Sequence, residues 1–275
     1  MKNTQHNLQH DDQKIIRTEA ELTPADFACF LSFLKSIQPH FNDFCLVDGA
    51  FRSRTNDKAS VVETGFPYFR EMNFNFEDIK KGANMLSALN KNSRIEVMID
   101  NDRVTFTDKS QEIHLPSINN VNYLYNKFFS DDKMEDIFLQ KVDPDRLLLM
   151  ESFPKITISN IHKMLRELNS NSIRVTHVED ALNMVYFQIS ENNQETKTLN
   201  YQMKLSKPLL FPMKKGNYFN IGSMPFEFCK NSMSLKFYFT KDEGILTLFY
   251  NTFMNDLFVN IYARAALVDE STISR

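Results

Sequence analysis

The sequence has no tryptophan, only six glycines and only three cysteines in its 275 residues. So little glycine leaves few places where a backbone can wrap tightly round a phosphate. None of the glycine-built signatures is present: no GxGxxG, no GxSxG, and no GxxxxGK followed by Ser or Thr. HExxH is missing as well. Cys29, Cys45 and Cys229 are odd in number and far apart. That excludes a disulfide framework and a CxxC zinc site, and points to reduced core residues in a reducing compartment, cytoplasmic or nucleoid-associated. No run is long and apolar enough to span a membrane, and the opening MKNTQHNLQHDDQK is too polar for a secretory signal. Charge of one sign is lacking too. With 32 basic and 35 acidic residues the net charge is −3, so any contact with nucleic acid must be local.

What is present is a core. Hydrophobic residues make up 42% of the chain and 25 residues are Phe, and the length suits one large or two ordinary domains. The abundance of Asn, Lys, Ile and Phe points to an AT-rich genome such as that of a virus or phage, and so to an infected host cell. Residues 1–14 and 269–275 read as free tails.

Between the tails one pattern occurs twice: an amphipathic helix, strands, a second helix, then a three-stranded meander. In the first half, PADFACFLSFLKSI (24–37) repeats apolar residues at Phe27, Phe30, Leu31, Leu34 and Ile37, with Thr23 as N-cap ahead of Pro24. Strands are predicted at 43–51, 58–64 and 71–75, and a second helix over 76–90 gathers Ile79, Ala83, Leu86 and Leu89 on one side. Alternation then gives strands at 94–99, 103–108 and 111–116, the first two joined through Asp100, Asn101 and Asp102. Residues 117–143 have no clean period and read as a connector. The second half begins with a strand at 146–153 and a helix at 156–169 with Ile158, Ile161, Leu165 and Leu168 inward. Strands follow at 173–178, 183–190 and 197–205, then a short helix near 221–231 announced by Ser223 ahead of Pro225. A closing meander turns at Asp242–Gly244 and near Asn255–Asp256. The fold class is therefore α+β: two similar domains of antiparallel sheets with two helices each, over 15–116 and 144–268.

No active site is legible. His6, His10, His40, His114, His162 and His177 are scattered without ligand spacing, and Asp131/Asp132 and Asp143/Asp145 fall in connector sequence. No metal, cofactor or enzymatic activity is expected. The positive signal lies on the helices. Lys35, Lys80, Lys81, Lys91, Lys163, Arg166 and Lys230 all fall on or just after predicted helices, opposite the apolar side. A duplex presents one charge per ~1.7 Å of axis, and such cations neutralise it without reading sequence. No helix carries a base-reading array of Arg, Asn and Gln.

The order of elements over 15–268 resembles the two-domain DNA sliding clamps, the group of proliferating cell nuclear antigen and the phage polymerase clamps. The local pieces that carry the resemblance are FEDIKKGANMLSALNKNSRIEVMI and MPFEFCKNSMSLKFYFTKDEGILTLFY. It implies a DNA clamp fold that forms a ring of three identical subunits, with helices on the inner wall and the seven cations facing duplex DNA. It also implies a DNA polymerase processivity factor that tethers the replicative polymerase and is opened by a clamp loader ATPase. Ring closure would use the strand at 110–116 and that at 197–205, which are otherwise ordinary capped edges. A partner peptide would dock beside the connector, against Leu46, Val47, Tyr123, Tyr125, Phe128 and Phe129; the alternative for the connector aromatics is core. Two rival readings remain from residues alone: a monomeric α+β protein-interaction module without DNA encirclement, and a nuclease built on scattered carboxylates.

Overall fold

The computed structural model describes residues 18–55, 60–100, 102–128, 147–177, 184–190, 200–208, 217–229, 234–242, 245–254 and 257–269. The tails, Phe129, Lys230, the acidic pairs after residue 130 and both turns of the last meander therefore lie outside the described residues, apart from Asp242 and Asp269 at strand ends.

The first half runs β1 (Glu19–Leu22), α1 (Pro24–Ile37), β2 (Phe44–Val47), β3 (Ala50–Arg54), β4 (Ser60–Gly65), a 3-10 turn at Pro67–Phe69, β5 (Asn73–Phe76), α2 (Ile79–Leu86), β6 (Ile95–Ile99), β7 (Arg103–Thr107) and β8 (Glu112–Pro116). Next come α3 (Val121–Phe128), β9 (Leu147–Pro154), α4 (Lys155–Glu167), β10 (Ser172–His177), β11 (Met184–Ser190), β12 (Asn200–Pro208) and β13 (Asn217–Gly222). The chain continues through α5 (Met224–Phe228), β14 (Ser234–Asp242), β15 (Ile245–Met254) and β16 (Leu257–Asp269).

The helix over 24–37 forms as its spacing predicts. Thr23 and Asp26 make a reciprocal capping box, and Phe27, Phe30, Leu31, Phe33, Leu34 and Ile37 are buried. The predicted strand 43–51 is instead a hairpin. Asp48 (φ 53°) and Gly49 (φ 79°) both take positive φ, which is what a two-residue turn between twisted strands requires. The helix expected over 76–90 is shorter, Ile79–Leu86, with Asp78 capping it by accepting from the Lys81 N–H at 2.8 Å. Gly82 lets this helix lie flat on the sheet, since a Cβ there would sit 2.7 Å from Cδ2 of Phe76. The connector is not wholly irregular, because α3 forms within it.

Every ladder is antiparallel. In the first half β1 pairs β6, β6 pairs β7 and β7 pairs β8, while β5, β2, β3 and β4 pair in that order. The second half has the same map: β9, β14, β15, β16 and β13, β10, β11, β12. The duplication expected from the pattern is thus a duplication of the pairing map. The halves are joined by β16, which pairs β4 through Asn260–Ala263 and β13 through Leu267–Asp269. Thr64 adds a bond across this seam, its hydroxyl donating to the Phe258 carbonyl at 2.9 Å.

The core is largely phenylalanine. Phe30 meets Phe44 of β2 edge-on at 6.3 Å and stacks 6.4 Å from Phe106 of β7, so one side chain of α1 ties both sheets of its half together.

Candidate nucleic-acid interface

Four of the helices make one continuous row. α1 packs on α2, and α4 packs on α5. The halves meet between α1 and α5, where Phe33 and Phe228 contact edge-on and His40 Nε2 lies 3.7 Å from a carboxylate oxygen of Glu227. The spatial order is therefore α2, α1, α5, α4, with the apolar side of each helix turned into the core.

Exposed on the opposite side of this row are Lys35 of α1, Lys80 and Lys81 of α2, and Lys163 and Arg166 of α4. Lys91 is exposed too, but in the turn after α2 rather than on a helix. Lys155 was missed by the sequence reading. It is the exposed first residue of α4, which starts one position before the expected 156. The Pro154–Lys155 step was the available signal, since a helix commonly begins beside a proline. Within α1, α2 and α4 the cations Lys35, Lys80, Lys81, Lys155, Lys163 and Arg166 outnumber the acids Asp26 and Glu167. Asp26 is engaged in the cap of α1.

On the solvent side of the four-stranded sheet acids outnumber cations, with Arg103 exposed there beside Asp100. Glu19, Glu21, Glu96 and Glu112 are exposed there, with Glu21 directly opposite Glu96 and ion-paired to Arg94. Charges are thus sorted between the helical row and this sheet, in a chain of almost zero net charge. A cationic surface of this kind attracts a polyanion through many weak, interchangeable contacts.

A second surface lies on the back of the first half, opposite α1 and α2. Alternation along β2 turns Phe44 and Leu46 into the main core and Cys45 and Val47 toward α3. Leu46 is fully buried and cannot line a groove beside the connector. Cys45 meets Leu124 and Phe128 in a small apolar cluster separate from the main core, with Val47 half-buried beside it. Phe128 thus packs inward, whereas Tyr123 is 46% exposed. Tyr125 lies on α3. Lys127 Nζ bonds Asp43 at 2.8 Å, and Arg54 Nη2 donates to the Phe128 carbonyl at 3.5 Å. Burial pulls the Lys127 ammonium down, but the hydrogen bond and charge of Asp43 outweigh it and its pKa is raised. Burial pushes the Cys45 thiol well above its ordinary value, so it stays a protonated core group.

Two sheet edges stand out. β8 ends the four-stranded sheet and β12 ends the large one. These are the strands that the sequence singled out at 110–116 and 197–205. No described helix is long and apolar enough to cross a membrane. Among the described residues no group of three or more His, Cys, Asp or Glu could hold a metal ion.

No protein-family model matches the chain, and no curated protein does. Solved structures do. A chain of the PCNA2–PCNA3 complex from Sulfolobus tokodaii is similar at 14% identity and a TM-score of 0.52, over 90% of this chain and 98% of that one. The proliferating cellular nuclear antigen of Entamoeba histolytica is similar at 13% identity and a TM-score of 0.57, over 91% of this chain and 99% of that one. The likeness runs the length of both proteins, and the chain has the sliding-clamp fold.

Proposed function

We propose that this protein is a DNA sliding clamp: a non-enzymatic ring of three copies that encircles duplex DNA and holds a replicative polymerase on it. The fold supports the reading, and so does the cationic row of helices, which would face the duplex as an inner wall. Weak phosphate contacts of Lys35, Lys80, Lys81, Lys91, Lys155, Lys163 and Arg166, and of Lys230, would permit sliding, while enclosure would prevent escape. The polymerase would dock by a short segment at the connector, and an ATP-driven loader would open the ring.

The observation that carries the reading is an unmatched pair in the repeat. Inside the chain the last strand of the second half, β16, pairs the fourth strand of the first half, β4. The corresponding strands are β8, last of the first half, and β12, fourth of the second, and among the described strands both are left as edges. Exposed edges are templates for pairing, so β8 of one copy and β12 of the next would complete each other. Such an interface is head-to-tail and must close into a ring or run on as a filament.

The repeat also sets a register. Leu22 and Phe153 each lie two residues before their helix and pair Ile95 and Leu235. Counting from there through the meanders puts Ile113 in the place of Ile261. The ladders from β5 and β13 likewise put Tyr201 in the place of Val62. Ile261 pairs Val62, so Ile113 would pair Tyr201 of the neighbouring copy, and Glu112 would pair Gln202.

The experiment is a register-specific cross-link. Directly opposed residues of paired antiparallel strands have Cα atoms ~4.5–5.5 Å apart, within the range of about 4.4–6.8 Å that a disulfide spans. The variant Glu112→Cys with Gln202→Cys should oxidise to a covalent species of three times 32.2 kDa. Oxidised after loading onto nicked circular DNA, that species should stay on it and slide off once the DNA is cut. Pairing Glu112→Cys with Lys204→Cys, two residues out of register, should cross-link poorly. A monomer that does not cross-link, or a covalent species shed equally from circular and linear DNA, would refute the ring.

A further inference from the structure

We infer that the end of the four-stranded sheet opposite the start of the connector is a cationic rim, built on Lys91 and Lys109, that holds the duplex as it leaves the ring on the face turned away from the polymerase. The inference rests on the ring reading above and gives that ring a polarity on DNA. Three observations lead to it.

Two separate turns bring their lysines to one place. The Asp108 carboxylate accepts from the Asn90 backbone N–H at 2.7 Å and from the Ser110 and Gln111 N–H groups at 2.9 Å. It therefore ties the turn after α2 to the turn between β7 and β8, and Lys91 and Lys109 are the next residues along each. Both lysines are exposed, and among the described residues neither makes an ion pair. Exposed Asn90, Asn92, Ser110 and Gln111 stand beside them, and such uncharged polar side chains also contact phosphate.

Lys109 moreover has φ 74°. Left-handed backbone costs a residue with a side chain ~1–2 kcal/mol, and glycine or asparagine would relieve it. The turn keeps a cation there in spite of that cost.

The two ends of the sheet also differ in charge. The turn between β6 and β7, at the other end, exposes Asp100 and Asp102, with Arg103 drawn to Asp100 at 3.0 Å. The connector starts from this acidic end, where the Ser117 N–H donates to the Asp102 carbonyl at 2.9 Å. Pairing of β8 with β12 of the next copy would run round the ring, and the hydrogen bonds of a sheet lie perpendicular to its strands. The strands would therefore cross the wall from one opening to the other, with the acidic end and the connector at one opening and Lys91 and Lys109 at the other. A polymerase docked at the connector would sit over the first opening, so the duplex it makes would emerge past the second. Each copy adds one pair of lysines there, facing a backbone with one charge per ~1.7 Å of axis.

The test is photo-cross-linking of the full chain retained on nicked circular DNA, with a benzophenone amino acid in place of Asn92 at one end of the sheet or of Asp102 at the other. The label at 92 should cross-link to DNA at least about fivefold more than the label at 102. Lys91→Ala with Lys109→Asn, the latter chosen because asparagine tolerates the backbone of its site, should cut the yield at 92 by about fivefold. The melting temperature and retention on the circle should not change, since enclosure holds the ring. Equal yields from the two ends, or a yield at 92 that the paired substitutions leave untouched, would overturn the inference. In a chain retained on circular DNA, that result sinks the rim alone and leaves the clamp standing. A chain that is not retained sinks both.

Discussion

Phe33 on α1 and Phe228 on α5 meet edge-on, their ring centroids 6.3 Å apart and their planes at 87°. This contact joins the helices of the two halves into one row. Phe33 also meets Phe51 at 5.0 Å and Phe66 at 5.5 Å, so the junction continues into the core of the first half.

Replacing Phe228 with Ala should therefore weaken the whole chain rather than α5 alone. Truncating a buried phenylalanine costs about 3–5 kcal/mol where neighbours cannot close the gap. The ring partners of Phe33 are themselves fully or almost fully buried, which leaves little room for relaxation. Urea unfolding should show a loss of unfolding free energy of that size, and a loss below ~1 kcal/mol would mean that the halves hold together chiefly through the β16–β4 seam.

Removing the cations of the helical row tests the inner wall. Lys80, Lys81, Lys163 and Arg166, all changed to Ala, should leave the oligomer mass unchanged in light scattering. The slope of log affinity for DNA against log salt should become shallower by about 0.9 for each phosphate that is no longer neutralised. An unchanged slope would place these cations away from the duplex.

Two adjacent prolines should separate folding from assembly. Successive residues of a strand aim their N–H groups to opposite sides, and β12 is paired on one side only. Of Gln202→Pro and Met203→Pro, one removes a bond to β11 and should lower the melting temperature. The other removes only the outward donor and should leave the subunit folded but unassembled. If both variants assemble normally, β12 is not the joining edge.

Asp108 should give the chain an acid-side dependence. Its carboxylate accepts from the Ser110 hydroxyl and from the backbone N–H groups of Asn90, Ser110 and Gln111, and these bonds hold its pKa well below the ordinary carboxylate range. A depressed folded pKa means stability that is full above the unfolded value of about 3.9 and is lost as pH falls through the folded one. Urea midpoints taken from pH 5 down to pH 2.5 should fall more steeply in wild type than in Asp108→Asn. Parallel curves would show that the turn at 108–111 does not need the charge.

Much of the fold was legible because its causes are local. Thr23 and Pro24 announce α1, and the spacing of Phe27, Phe30, Leu31, Leu34 and Ile37 follows from a period of 3.6 residues. The exposed cations of α1, α2 and α4 other than Lys155 were legible for the same reason, since the buried side of a helix defines its opposite. The turn at Asp48–Gly49 carried a strong hairpin signal, yet the apolar run FCLVDGAF masked it as a single strand. α3 stayed hidden because two anchors in eight residues make no period. Leu46 was assigned to a groove, and only the strand it pairs with shows that it faces the main core.

The sequence by itself determined the repeated order of elements, the apolar side of each helix and the cations opposite it, because each depends on residues within a turn or two of one another. Only the tertiary structure decided that β16 bridges the halves, that Phe33 and Phe228 draw four helices into one row, and that β8 and β12, among the described strands, lack the pairing that β16 and β4 make. Those outcomes depend on pairings between segments distant in the chain. Strand pairing follows from which edges remain after all others are satisfied, and no local pattern carries that information.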